Sequence, residues 1–275
     1  MSRYYWMQRE DMNFHVTHDE HPDPANFERH CHNHYELIYV TQGAGRYVVE
    51  GCRYPLKPET LFLFRPGEFH YVDVAEDKPY SRYVIHFEAS AVSVEVRPLL
   101  SQLEKRSEEG NFYDSAELPL VVTGAFERLN AIRRMPEDKG ELLARLILSE
   151  IIVSLSVALP SKPEAAEPLG LRVVRYLNDH LTEKIALEEL AKHFFVSKYY
   201  ICRAFRAHNG VSILKYLTEK RVYLAHQLMC QGETAVSAAM EAGFGDYSSF
   251  YRAYLRIFGT APSGREVKEK HKDHE

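Results

Sequence analysis

LEELAKHFFVSKYYICRAFRAHNG (Leu187–Gly210) and AVSAAMEAGFGDYSSFYRAYLRIFG (Ala235–Gly259) carry one plan twice. In each, a short helix meets a tight break, a capping residue follows, and a second helix runs on to a glycine. Leu187, Leu190, Ala191 and Phe194 recur at helical spacing and give the first copy one apolar stripe. Its break falls at Phe195–Val196, and the Ser197 hydroxyl is placed to accept an orphan backbone N–H of the next helix. In the second copy Gly243 makes the turn and Asp246 is the cap. The two caps stand 49 residues apart, with Ser212–Met229 reading as a helical spacer between them. The stretch therefore reads as two helix-turn-helix units on one connecting helix.

After Ser197, Ile201 and Phe205 point inward, which leaves Tyr199, Cys202, Arg203 and Arg206 on the opposite face. After Asp246, Phe250 and Tyr254 take the inward stripe. Tyr247, Ser248, Tyr251 and Arg252 are left outward near the helix N-terminus, the end that such readers present to bases. A guanidinium can grip guanine through two hydrogen bonds or clamp a phosphate, and a phenol can reach phosphate or a thymine methyl. Ser197, Tyr199, Cys202, Arg203, Arg206, Tyr247, Ser248, Tyr251 and Arg252 are thus the candidate DNA-binding residues. One such hairpin would read more simply as a solvated surface; its repetition shifts the balance.

The fragments LA…S…R-x-F-R, YL-x-x-x-R-V-x-x-A (Tyr216–Ala225) and GF-x-D-x-x-S-F-x-R (Gly243–Arg252) resemble the AraC/XylS family of transcriptional regulators over Leu171–Pro262. The resemblance implies promoter DNA as a partner, and RNA polymerase as well if the protein activates. Three positions depart from the family pattern. Ala186 stands where a capping Ser is usual, Tyr254–Leu255 replaces a Phe-Lys pair, and Arg265 follows Pro262 by three residues instead of four.

The net charge of −5 is unusual for a DNA binder until the chain is split. From Leu169 onward 16 Lys and Arg face 12 Asp and Glu, a net +4, which leaves −9 for the remainder. An acidic module joined to a basic one fits a regulatory half and a nucleic-acid half. An excess of +4 is modest, so affinity is expected to draw on dimerisation or effector as well as phosphate contacts. Cys31, Cys52, Cys202 and Cys230 form no CxxC pair, which suits free thiols in a reducing cytoplasm. Charges interrupt the N-terminal residues, unlike a signal peptide, and Leu146–Leu159 is too short and polar to span a membrane.

From His30 to about Glu88 short alternating runs punctuated by Gly and Pro replace the helical pattern. Glu36–Val40, Gly45–Glu50, Arg53–Leu56, Thr60–Phe64 and Arg82–Phe87 read as strands of a small antiparallel barrel or jelly roll. HCHNHYELIYVTQG (His30–Gly43) and PGEFH (Pro66–His70) hold its chemistry, and strand alternation puts His30, His32, His34 and Glu36 on one face. These spacings look like the two cupin motifs. By that resemblance His30, His32, Glu36 and His70 are the positions that hold metal in metal-binding cupins, suited to Zn, Ni, Fe or Mn. The same four are the candidate effector-binding residues, since a polar pocket without metal would serve a sugar. Tyr35, Tyr39, Tyr47, Phe62, Phe64 and Tyr83 would suit stacking on a pyranose or simple core, and alternation lets only some face inward.

The resulting expectation is a multidomain α+β chain. Residues 1–118 form a cupin-like effector-binding barrel and 119–160 a helical connector. Residues 161–170 are a linker, 171–267 an all-α domain with two helix-turn-helix motifs, and 268–275 a charged tail. In the connector, Leu142, Leu143, Leu146, Ile147, Glu150, Ile151 and Ser154 make a stripe that either packs on the barrel or pairs two subunits of a homodimer. The function expected is a cytoplasmic, effector-responsive DNA-binding regulator, with a carbohydrate as effector and no membrane partner. The alternative is a metal-dependent cupin enzyme with an accessory helical half. No other convergent acid–base set supports it, so the chain reads as a non-enzyme.

Overall fold

A computed structural model describes residues 2–104, 112–116, 118–132, 134–158 and 168–262. The chain divides into two compact units, Met1–Ala166 and Glu167–Glu275. Among its described residues the first unit holds nine strands: β1 (Ser2–Gln8), β2 (Met12–Asp19), β3 (Tyr35–Gln42), β4 (Gly45–Val49), β5 (Cys52–Leu56), β6 (Thr60–Phe64), β7 (His70–Val74), β8 (Tyr80–Phe87) and β9 (Phe112–Tyr113). They form a six-stranded antiparallel sheet, β1-β2-β8-β3-β6-β9, and a three-stranded one, β5-β4-β7. Helix α1 (Arg97–Glu104) lies between β8 and β9, and α2 (Leu120–Ile132) and α3 (Glu137–Val157) follow β9.

Rings join the two sheets face to face. Tyr47 lies 4.3 Å from Phe62, and Phe64 stacks on His70 at 4.1 Å. The other face of the large sheet is roofed by helices, with Phe126 of α2 stacked on Tyr39 at 4.8 Å. Both faces of β3 and β6 are therefore buried, so these strands read as apolar runs with weak alternation. Of the aromatic set, Tyr47, Phe62 and Phe64 meet between the sheets, whereas Tyr35, Tyr39 and Tyr83 pack beneath the helices and cannot stack on a ligand in the chamber. The β structure also begins well before His30, with β1 and β2, and His30–His34 is not one strand. His30 alone makes an isolated bridge, to His70.

The connector stripe divides in two. Ile147, Leu148, Ile151, Ile152 and Leu155 are buried against the sheet, while Leu142 and Leu146 remain 62% and 58% exposed and Val153 and Val157 face solvent beside them. Arg145 clips α3 to the β1–β2 turn, donating to both Asp11 oxygens at 2.8 Å, and Glu141 also takes its guanidinium. The Arg145 hydrogen bonds hold the Asp11 carboxyl below its usual range despite an opposing desolvation. A carboxyl depressed in this way stabilises the fold above its unfolded pKa, and the gain is lost as pH falls through the folded value. Asp11→Asn should cost about 1 kcal/mol at pH 7, the low end for a charged pair half in solvent. It should also flatten the loss of stability below about pH 4 in urea titrations.

The second unit holds α4 (Leu169–Asp179), α5 (Leu187–His193), α6 (Lys198–Asn209), α7 (Ile213–Cys230), α8 (Ala235–Glu241) and α9 (Tyr247–Phe258). Leu169 and Gly170 already belong to α4, so the expected linker is helical at its end. Residues 161–167 of that linker, Arg265 and the 268–275 tail lie outside the described residues. Three contacts bind the halves of this unit around the loop after α4. Tyr216 of α7 donates to Asn178 Oδ1 at 2.9 Å. Arg221 of α7 donates to the Leu181 and Glu183 carbonyls at 2.8 and 2.6 Å. Gly243, between α8 and α9, lies so close that a Cβ there would meet Thr182 O at 2.6 Å. None of the four Cys forms a disulfide, and among the described residues no helix is long and apolar enough to cross a membrane.

Candidate effector site and nucleic-acid interface

The side chains between the sheets come from alternate positions. β2 sends Asn13, His15 and Thr17 inward, in register with His86, Val84 and Arg82 of β8. β3 sends Glu36, opposite His86. Glu36 is the hub: Oε1 accepts from His86 Nε2 at 3.0 Å, and Oε2 lies 3.0 Å from both His32 Nε2 and His70 Nε2. Burial pushes its pKa up, but His86, His32 and His70 outweigh that and hold it well below the usual carboxylate range. His34 stacks on His32 at 4.0 Å.

The second nitrogen of each expected ligand is already engaged. His30 Nδ1–H donates to Glu28 O at 2.8 Å, His32 Nδ1–H to His34 O at 2.9 Å, and His70 Nδ1–H to Glu68 O at 3.0 Å. A carbonyl only accepts, so in each ring Nδ1 carries a hydrogen and Nε2 is the nitrogen turned toward the cluster. The rings of His30 and His32 favour the neutral form. Desolvation, then the neighbouring His70, pushes His30 down to about 4, and burial also lowers His32. His70 Nε2 is buried without a hydrogen bond although Glu36 Oε2 is 3.0 Å away. Three imidazole nitrogens and a carboxylate oxygen thus converge, with all four atoms within 4.8 Å of one another. Such an array, with each ring oriented by a carbonyl behind it, fits a divalent ion.

Local sequence explains the convergence. Gly67, at φ +76°, makes the turn before β7, and its N–H bonds to His32 O at 2.8 Å. Glu68 turns back to cap this loop, accepting from Arg65 N at 2.7 Å, which leaves its carbonyl for His70. The backbone pair His30–His70 then sets the two rings 4.4 Å apart. His30, His32, Glu36 and His70 are brought together as expected. His86 was missed, although period-two alternation in RYVIHF puts it on the same face as Arg82 and Val84. A second group, His32, His34 and His86, also has metal-binding spacing.

In the second unit the reading helices are built as their caps require. Ser197 Oγ accepts from Tyr200 N at 3.2 Å, and Asp246 Oδ1 accepts from Ser249 N at 2.8 Å. Ala186, as its side chain dictates, makes no capping bond for α5. Ile201 and Phe205 of α6 and Phe250 and Tyr254 of α9 are buried. Ser197, Tyr199, Arg203 and Arg206 are exposed, Tyr199 by 74%, and Cys202 is half-buried. On α9, Ser248, Tyr251 and Arg252 are exposed. Tyr247 is half-buried because its ring packs on Phe250 and Tyr251, so it offers less surface than its spacing suggests. Neither reading helix has an acidic residue in its first turn.

Residues 15–147 match the AraC-like ligand binding domain, and residues 190–264 match a helix-turn-helix domain. The uncharacterized HTH-type transcriptional regulator YfiF of Bacillus subtilis is 25% identical over 85% of this chain and 76% of its own. The HTH-type transcriptional activator RhaS of an Enterobacter species is 24% identical over 89% and 88%. A solved structure of ToxT from Vibrio cholerae aligns over 94% of this chain and 98% of its own, at 13% identity and a TM-score of 0.39. With a ligand-binding domain ahead of a helix-turn-helix domain and regulators for relatives, the chain belongs to the AraC/XylS family of DNA-binding transcriptional regulators.

Proposed function

We propose that the protein is a cytoplasmic regulator that binds promoter DNA through α6 and α9 and answers to a carbohydrate held between the sheets of its first unit. Ser197, Tyr199, Cys202, Arg203 and Arg206 address one major-groove segment, and Tyr247, Ser248, Tyr251 and Arg252 the next, about 34 Å along the duplex. His30, His32, Glu36 and His70 contact the effector and hold a divalent ion, Zn, Ni, Fe or Mn, which would supply a Lewis-acidic anchor for hydroxyls. The carrying observation is the His and Glu cluster turned inward between the two sheets, beside the rings of Tyr47, Phe62 and Phe64. A chamber built only for stability would be filled with apolar side chains.

Two copies are proposed to pair through the exposed half of the α3 stripe, Leu142, Leu146, Val153 and Val157. RNA polymerase is a further partner if the outcome is activation. Effector binding regulates by favouring one arrangement of the units over another.

Gel shifts on the DNA upstream of the gene, with and without candidate sugars, test the regulator reading. A sugar-dependent change in affinity is expected, and no shift with any upstream fragment would defeat it. Metal analysis of the purified protein tests the ion. About one equivalent is expected per chain, falling at least tenfold in occupancy in His32→Ala and His70→Ala. Wild type without metal after reconstitution would remove the ion from the proposal.

A further inference from the structure

Arg82 is the most conspicuous group in the chamber that the His and Glu cluster does not use. It projects from β8 opposite Thr17 of β2 and Val40 of β3, on the face shared with Val84 and His86. It is 8% exposed, yet its Nε and Nη1 are buried with no hydrogen-bond acceptor. Among the described residues no carboxylate forms an ion pair with it. Its guanidinium carbon lies 4.4 Å from the Tyr80 ring centroid and 5.4 Å from that of Phe27. The Tyr80 hydroxyl takes one N–H and the Glu36 charge acts at a distance, but the ring faces leave Nε and Nη1 unmet. Beside it the Thr17 hydroxyl is fully buried and also unpartnered. Tyr47 and Tyr80 offer two further hydroxyls, bonded to each other at 2.6 Å.

A buried cation with orphan donors is costly, and apolar replacement at such a place is commonly neutral or stabilising. Its presence is explained if something that visits the space between the sheets brings acceptors for Nε and Nη1 and a negative charge closer than that of Glu36. Phe27 closes over this spot edge-on to Tyr80 at 5.7 Å. It follows the short turn Pro24–Asn26 and is only half-buried, so the group lies one side chain below the surface.

We infer that the effector is an acidic sugar, its carboxylate received by Arg82 and Thr17 beneath Phe27 while its hydroxyls reach toward the His and Glu cluster. This rests on the carbohydrate reading of the chamber and narrows it to one chemical class. Four residues separate Arg82 from His86 along β8, roughly 13 Å at 3.3 Å per residue. That span is bridged by side chains at both ends plus a six-carbon acid.

The test compares melting temperatures of the full-length protein in D-glucuronate, D-galacturonate, D-glucose and D-galactose at fixed ionic strength, for wild type and Arg82→Met. At least one uronate should raise the wild-type Tm by about 3 °C or more, while its neutral parent sugar does not. Arg82→Met should lose that response, yet melt at or above wild type without ligand because the unpaired charge is gone. If neutral sugars stabilise both proteins equally, the acid assignment falls and the carbohydrate reading stands. If no sugar shifts wild type, both fall. If ligand-free Arg82→Met melts about 5 °C or more below wild type, Arg82 is a structural group and the inference is overturned.

Discussion

Gly243→Val should destabilise the second unit by about 3–5 kcal/mol and abolish specific DNA binding by both helix-turn-helix units. Gly243 sits at φ +90°, a conformation that a β-branched residue reaches at a cost of about 1–3 kcal/mol. Its missing Cβ faces backbone: Thr182 O at 2.6 Å and Thr182 Cα at 2.8 Å. Backbone cannot swing aside as a flexible side chain can, so overpacking adds about 1–3 kcal/mol more. The strain would not stay local. Thr182 lies in the loop whose Leu181 and Glu183 carbonyls are tied down by Arg221, the arginine in the middle of α7. Pushing that loop away disturbs the approach to α5 and the seat of α7 together. Gly245→Ala is the control, since nothing lies within 4 Å of a Cβ there and its backbone is ordinary. It should change stability by less than about 1 kcal/mol. Urea denaturation followed by circular dichroism reads both variants, and equal stability for the pair would contradict the packing described.

This contact also shows what the two-fold repeat alone could not. Spacing revealed two helix-turn-helix units because caps, stripes and turn glycines are local, and each residue type serves one backbone geometry. The coupling between them is non-local: no pattern announces that Arg221 will meet the carbonyls of Leu181 and Glu183, 40 and 38 residues away, or that Gly243 will lie against Thr182. The YL-x-x-x-R fragment marked Arg221 as notable without saying why; its two carbonyl acceptors supply the reason.

The first unit was harder to read, and for a physical reason. Sequence rules assume that a strand turns its apolar side to the protein interior. Here the large sheet has two buried faces of opposite character. In β2, Phe14 and Val16 lie on the helix-roofed face, and Asn13, His15 and Thr17 point between the sheets. The alternation is present but inverted relative to an ordinary half-exposed strand. β2 therefore does not stand out, and neither do the inward roles of Arg82 and His86 on β8. His30, His32, Glu36 and His70 were legible only because their spacing resembles a known motif. The connector stripe was ambiguous because α3 really is apolar on two sides, one facing the sheet and one facing solvent.

Replacing Arg203 and Arg252 together by Ala should weaken operator binding about 30-fold to 10^4-fold without unfolding the protein. Both side chains are exposed, on α6 and α9 respectively, and both helices are held by other residues: Ile201 and Phe205 in one, Phe250 and Tyr254 in the other. Among the described residues Arg252 makes one long hydrogen bond, 3.4 Å, to the exposed Ser249 Oγ on its own helix, so its loss leaves no buried group unpaired. Each arginine is worth about 1–3 kcal/mol if it grips a base edge. The two belong to separate helix-turn-helix motifs and stand on different helices, so their effects should add, giving about 2–6 kcal/mol. Salt dependence separates the two ways an arginine can act. If both read bases, the loss appears on operator DNA and spares unrelated DNA. If both clamp phosphates, binding weakens evenly and the slope of log K against log salt falls by about 0.9 for each. The second unit carries only a modest positive excess, so two charges of its 16 are a large part of what holds phosphate. A double variant that binds operator and random DNA as wild type does, at every salt concentration, would mean that these faces do not touch the duplex.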